Sequence, residues 1–393
     1  MAAAPQIEPV RTEPTALRFA PELELLLACS QLVLDREPGL STMLASQLEW
    51  DIVLRLANRH RLLPALYEAL HGRDDVPASI RSAICAQFQN HERRVLRFTA
   101  ELARIWRQFA QHKIQVLAHK GAALGQLLYG DPARRQFGDL DFLVRATDIP
   151  RARLALQELG YAPKLQLSPR QEKEYLRSGY EHVFGLNADR NLVEVQWQIL
   201  PRFYAVDFDM EALFTRSVEL DVDGLRMRIL GREDLMLVLC VHAAKHEWAQ
   251  LGMLRDIGTL AHLGLDWDWI EAEARRLGIA RILAVSRSLL SGLCSSDLPV
   301  LPRVQPERSS AREIAAAIQH KIVVGVEGDP ESVGYFRAMI RLRERWEDRV
   351  RLAWRLAATP SVGEWQSVRI RDSLFPLYRV VRAIRLLKRF AEM

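Results

Sequence analysis

Residues 114–121, Ile-Gln-Val-Leu-Ala-His-Lys-Gly, and residues 138–144, Gly-Asp-Leu-Asp-Phe-Leu-Val, decide the fold. The first is a short apolar run broken by Lys120-Gly121, after which Ala122 to Tyr129 has helical spacing. Gly130-Asp131-Pro132 ends that helix, because glycine suits a C-cap and proline cannot continue the hydrogen-bond ladder. After Arg134 and Arg135 the alternation in 138–144 predicts a second strand. Side chains alternate across a strand, so Asp139 and Asp141 share one face, while Leu140 and Phe142 take the other.

Two carboxylates side by side repel, and a buried pair does not ionise fully without help. Solvent or a divalent cation relieves them, and Mg²⁺ prefers carboxylates together with substrate phosphates. For an isolated Asp-x-Asp the plainer reading is a polar face at a sheet edge. Here a third carboxylate follows at Glu194, in the alternating run Leu192-Val193-Glu194-Val195-Gln196-Trp197. Two aspartates and a glutamate on strands suit a two-metal site for phosphoryl or nucleotidyl transfer.

These residues resemble a family of uncharacterised nucleotidyltransferases within the polymerase-beta-like nucleotidyltransferase superfamily. The resemblance rests on Lys120-Gly121, on the helix ending in Leu128-Tyr129-Gly130-Asp131-Pro132, and on Asp139-Leu140-Asp141-Phe142-Leu143-Val144. It extends to Leu239–Trp248, to Leu254-Arg255-Asp256-Ile257, to Thr359-Pro360 through Trp365, and to Pro376-Leu377-Tyr378. Lys120-Gly121 stands where the superfamily has Gly-Ser, and Gln196 where a histidine is expected after Glu-hydrophobic. The resemblance implies an α+β fold: a small mixed-sheet nucleotidyltransferase core flanked by N-terminal and C-terminal helical regions. It implies Asp139, Asp141 and Glu194 as catalytic residues and Mg²⁺ ligands, and a nucleoside triphosphate such as ATP as donor. Lys120, Gly121, Arg134, Arg135 and Lys245 are the candidate nucleotide-binding residues.

At 393 residues the chain exceeds a typical single domain. Hydrophobic residues make up 49% and charged residues 26%, the composition of a soluble globular protein. A continuous apolar run of membrane-spanning length is absent from the sequence, and Met1-Ala2-Ala3-Ala4-Pro5 does not open a signal peptide. Cys29, Cys85, Cys240 and Cys294 are widely spaced in apolar contexts, which predicts buried free thiols in a cytoplasmic protein. The net charge of +5 fits a phosphate-bearing substrate and is too small to argue for nucleic acid.

Residues 1–20 form a leader without periodicity, and 21–112 read as an N-terminal helical region. Within it Ser41-Thr42 caps a helix, Glu49 to Arg61 forms another, and Ala78 to Gln111 a long one; His60 is a polar helix-end residue. The core spans 113–230. It holds a helix to Glu158, a connector helix in 161–180, a hairpin of 181–186 and 192–199 turning at 187–191, and a strand at 225–230. Residues 231–393 form a C-terminal helical region. In it, a helix over Glu233 to Gln250 carries His242 and His246 one turn apart, without the His-Glu-x-x-His pattern of a zinc site. Two readings are open for Lys245: a point charge on nucleotide phosphates, or a solvated helix face. A helix is expected near 310–320, and 336–352 reads as one solvated charged helix. The last helix sets Arg379, Arg382, Arg385 and Arg389 against Val380, Val381, Ile384 and Leu387: a docked helix with a basic outer face, or a surface for RNA or anionic lipid.

The expected reaction is transfer of an NMP from an NTP to a hydroxyl or amine of a small-molecule or peptide acceptor. Two alternatives are toxin-like transfer to RNA or protein, and a non-catalytic nucleotide-binding scaffold.

Overall fold

The computed structural model describes residues 19–30, 37–186, 190–293, 308–325, 332–368 and 370–391. Five helices come first: α1 (Pro21–Cys29), α2 (Glu37–Leu44), α3 (Trp50–Arg59), α4 (Leu63–Leu70) and α5 (Ala78–Gln111). All seven strands of the described residues fall between Val116 and Ile229. In order, this stretch runs β1 (Val116–Leu117), α6 (Gly121–Tyr129), β2 (Leu140–Val144), α7 (Ile149–Glu158), β3 (Ala162–Pro163), α8 (Pro169–Ser178), β4 (Glu181–Leu186), β5 (Arg190–Gln196), α9 (Met210–Arg216), β6 (Val218–Val222) and β7 (Leu225–Ile229). Helices follow: α10 (Arg232–Lys245), α11 (Leu251–Ala261), α12 (Trp267–Leu277), α13 (Ala280–Leu293), α14 (Arg308–Val324), α15 (Val333–Arg341), α16 (Trp346–Ala358), α17 (Val362–Ser367) and α18 (Tyr378–Ala391). The fold is mixed α+β, as the sequence predicts.

Five strands form one mixed sheet in the order β1-β2-β5-β4-β3. Only β2 and β5 run parallel, and their register sets Asp141 opposite Glu194. The opposite face of this pair is apolar. Leu140, Phe142 and Val144 pack with Val193, Val195 and Trp197 into a core that includes Phe109 of α5 and Ala152, Ala155 and Leu156 of α7. Phe109 meets Phe142 edge to face, with ring centroids 5.3 Å apart. A buried aromatic or aliphatic side chain of this kind contributes about 1.5–3 kcal/mol, enough to hold the register of a five-residue strand. A second apolar core joins α1, α3 and α4 to α10, α11, α12 and α13, and reaches Leu117, Leu124 and Leu143 of the sheet and α6. The polar face of β2 and β5 therefore looks toward the helices that precede and follow it.

Helix α6 starts and stops on glycines for physical reasons. Gly121 has φ +57° and Gly130 φ +71°, both left-handed conformations that exclude most side chains. Gly125, inside the helix, has no room for a methyl group: a Cβ would lie 2.9 Å from Cα of Pro132. This contact folds the 132–135 turn back on the helix and aims it at β2.

Several expectations are corrected. Ser41 and Thr42 lie inside α2 and not ahead of a helix. The helix predicted over Glu233–Gln250 stops at Lys245, and a new one starts at Leu251. The single charged helix expected over 336–352 is two helices, α15 and α16, with Arg343 and Asp348 buried rather than solvated. Strand β6, the antiparallel partner of β7, alternates strictly as Val218-Glu219-Leu220-Asp221-Val222 and is an element that the sequence reading passed over. The centre of the predicted 187–191 turn, and Cys294, lie outside the described residues.

Gly125→Ala tests the close approach. Alanine in a free helix would gain up to about 1 kcal/mol, but overpacking against the Pro132 backbone costs about 1–3 kcal/mol. The expected outcome is a lower melting temperature, read by thermal denaturation; an unchanged or higher one would refute the tight packing.

Candidate active site

The site is built where β2 and β5 lie side by side. Asp141 is buried on β2, and Asp139 is half-buried just before the strand begins. Glu194 projects from β5 in register with Asp141. From the hairpin partner β4, Glu181 stands opposite Gln196. The amide of Gln196 holds the group together: Nε2 donates to Asp141 Oδ1 at 3.0 Å, to Glu194 Oε2 at 3.1 Å and to Glu181 Oε2 at 3.4 Å. Gln196 thus occupies the expected histidine position as a neutral donor among acids.

Lys120, the residue before α6, supplies the positive charge. Its Nζ lies 3.2 Å from Asp141 Oδ1. Burial alone would depress the Lys120 pKa, but the facing charges of Asp141, Glu194 and Asp139 outweigh it and hold it above its usual value. Burial of Asp141 is likewise outweighed by Lys120, so this carboxyl sits below the usual range. Asp139 moves the other way, raised by burial and by the charge of Asp141. Glu194 is raised furthest, to about 9, by burial and then by Asp141, Glu181 and Asp139. One lysine offsets one carboxylate, and the remaining acids repel one another. Asp141 Oδ2 is buried with no hydrogen-bond partner among the described residues. An orphaned hard oxygen in a carboxylate cluster short of positive charge is a donor set suited to a divalent cation. Among the described residues, no three His, Cys, Asp or Glu side chains are gathered closely enough to enclose a metal by themselves.

A cleft opens beside Lys120, lined by Arg61, Arg135, Gln136, His242 and Asp256 among others. Of the predicted cationic residues, Lys120 and Arg135 reach it. The Arg135 guanidinium is held by Asp256, with Nε 2.9 Å from Oδ2. Arg134 is directed elsewhere, pairing with Glu68 of α4 at 2.9 Å. Lys245 is not on a solvated face. Its Nζ donates to the Tyr180 hydroxyl at 2.8 Å, and burial lowers its pKa against the opposing pull of Glu181. Gly121 opens α6 next to the backbone of Asp139: a Cβ there would be 3.9 Å from the Asp139 carbonyl oxygen. His242 and His246 meet edge to face, ring centroids 4.8 Å apart, and desolvation lowers both below the usual imidazole value, His246 to about 4.

Sequence reasoning passed over Glu181, His119, Tyr180 and Arg61. Glu181 heads a predicted strand hairpinned to Glu194, so cross-strand pairing was the available signal. His119 is buried and pushed down to about 3 by desolvation and by Lys120, which makes it a neutral neighbour of the site. Arg61 left no signal. It follows α3 in a left-handed conformation, φ +57°, and is brought to the cleft by the approach of Gly252, whose Cβ would sit 3.0 Å from the His60 carbonyl oxygen.

The sequence model of a family described as uncharacterised nucleotidyltransferases matches residues 46–294. The chain belongs to this family. The match contains every residue of the carboxylate cluster and the cleft, and ends where α13 ends. No curated protein and no solved structure matches the chain. Membership makes the protein a transferase acting on a nucleotide.

The raised Glu194 pKa has a sign that can be checked. Its carboxyl keeps a proton that the unfolded chain releases near the usual 4.5, so the folded state loses stability as pH rises from about 4.5 to about 9. Glu194→Gln removes that loss. Without added cation, its advantage over the wild type is expected to grow across that window to about 1–2 kcal/mol. Denaturant titrations at pH 5 and pH 8.5 measure it, and equal stabilities at both would contradict the crowding of acids.

Proposed function

We propose that this nucleotidyltransferase moves an NMP from an NTP to a hydroxyl or amine of a small-molecule or peptide acceptor, with Mg²⁺ as cofactor. The observation that carries this reading is the set of acids on β2 and β5, short of positive charge, facing Lys120 at the start of α6. Asp139 and Asp141 would hold the Mg²⁺, with Glu194 beside them. When bound, the ion would neutralise phosphate charge and polarise the α-phosphorus.

The chain's own groups have separable tasks. The first N–H groups of α6, with the helix dipole, bind phosphate oxygens of the donor. Lys120 gives them a buried counter-charge, and Arg135 adds a guanidinium at the cleft that Asp256 orients. Lys245 and Tyr180 close the far side of the carboxylates. Glu194 ionises once positive charge offsets its acidic neighbours, and then takes the proton of the acceptor. The acceptor oxygen or nitrogen bonds to the α-phosphorus as the bond to the leaving pyrophosphate breaks. The buried Cys29 thiol, pushed up to about 12 by desolvation, suits a reducing cytoplasm.

Calorimetry with ATP, GTP, CTP and UTP, with and without Mg²⁺, tests the site before any acceptor is known. Mg²⁺-dependent binding of one nucleotide is expected, with at least a tenfold loss in Asp139→Ala/Asp141→Ala. Folded protein that binds no nucleotide under any condition would overturn the reading in favour of a scaffold. Salt-sensitive binding of RNA by the wild type would reassign the acceptor.

A further inference from the structure

The described residues carry twelve exposed large apolar side chains, and eight of them fall between Trp346 and Ile384. On α16, Trp346, Val350 and Trp354 recur every four residues and are 68%, 57% and 71% exposed. That spacing places all three on one side of the helix, opposite the buried Leu352 and Leu356. Leu377, Val380 and Ile384 form a second stripe along the start of α18, while Tyr378 and Arg382 face inward. α16 and α18 pack together, and Trp354 and Arg379 line one cleft between them. Exposed Arg371, Arg379 and Lys388 rim them.

We propose that this face docks on an anionic lipid bilayer, with α16 and α18 lying in the headgroup region. Two exposed tryptophans, exposed aliphatic side chains and exposed basic residues suit an interface that is apolar on one side and negatively charged on the other. A twofold contact with a second copy would set the same cations against each other. RNA would use the cations and could stack on tryptophan, but leaves Val350, Leu377, Val380 and Ile384 without a role. Among the described residues no helix is long and apolar enough to cross a membrane, so the attachment is peripheral. The face lies beyond the residue 294 limit of the family match, and is independent of the nucleotide site.

The test is cosedimentation of the full chain with phosphatidylcholine vesicles, with and without roughly one-third phosphatidylglycerol. The wild type is expected to pellet with the anionic vesicles only, with blue-shifted tryptophan emission. Trp354→Ser/Val380→Ser/Ile384→Ser, and separately Arg379→Glu/Lys388→Glu, should each lower the bound fraction at least tenfold while keeping the wild-type melting temperature. Failure of the wild type to pellet would overturn the proposal. So would variants that pellet equally well, a dimer in solution that the serine variant dissociates in place of vesicle binding, or binding of an RNA oligonucleotide in its stead. Nucleotide binding by the same variants should be unchanged, which separates this result from the fate of the active-site reading.

Discussion

The parallel pairing of β2 with β5 brings acids together that have no reason to be near one another in an empty site. Asp141 faces Glu194 in register, Asp139 and Glu181 border them, and Lys120 and the neutral amide of Gln196 stand among them. The apolar reverse of the same strands, packed on α5 and α7, is what holds the acids there. Slipping either strand by one residue would turn Phe142 or Val195 into the polar cleft and bury a carboxylate against Phe109, so the core enforces the repulsion. Stability is given up locally, in the mutual repulsion of these carboxylates.

The surrounding helices complete the cleft from both ends of the chain. Arg61 comes from the end of α3, Arg135 from the turn behind α6, and His242, Arg255 and Asp256 from α10 and α11. Arg255 binds the Ser30 and Arg134 carbonyl oxygens and stacks on Tyr129, which fixes the wall rather than offering a charge to substrate. One apolar core shared by the first and later helices makes this possible.

Gln196 shows how a departure from a family pattern is absorbed. A histidine there would add a titrating group to a cluster already holding Asp139 and Glu194 above their usual pKa range. The glutamine instead gives three acids one shared donor. Protonation in this site is set by crowding among carboxylates.

The sequence by itself determined the strand–helix–strand unit, the glycine-capped α6, and that Asp139, Asp141 and Glu194 come from two strand segments of the core. Period-two alternation and glycine's access to positive φ are local properties, and local properties are written in consecutive residues. It also located α5 to the residue and four of the five strands of the mixed sheet, the short β3 excepted. It misjudged 336–352, because Arg343 and Asp348 are buried by elements distant in sequence, Arg343 donating to the carbonyl oxygens of Tyr204 and Gly278. Only the tertiary structure decided that Arg134 turns away to Glu68 while Arg135 stays, that Lys245 meets Tyr180, and that Glu181 and Arg61 join the site. Those outcomes depend on the parallel register of two strands and on one helix end packing against Gly252. Both arise from contacts between residues far apart in the chain, which no periodicity encodes.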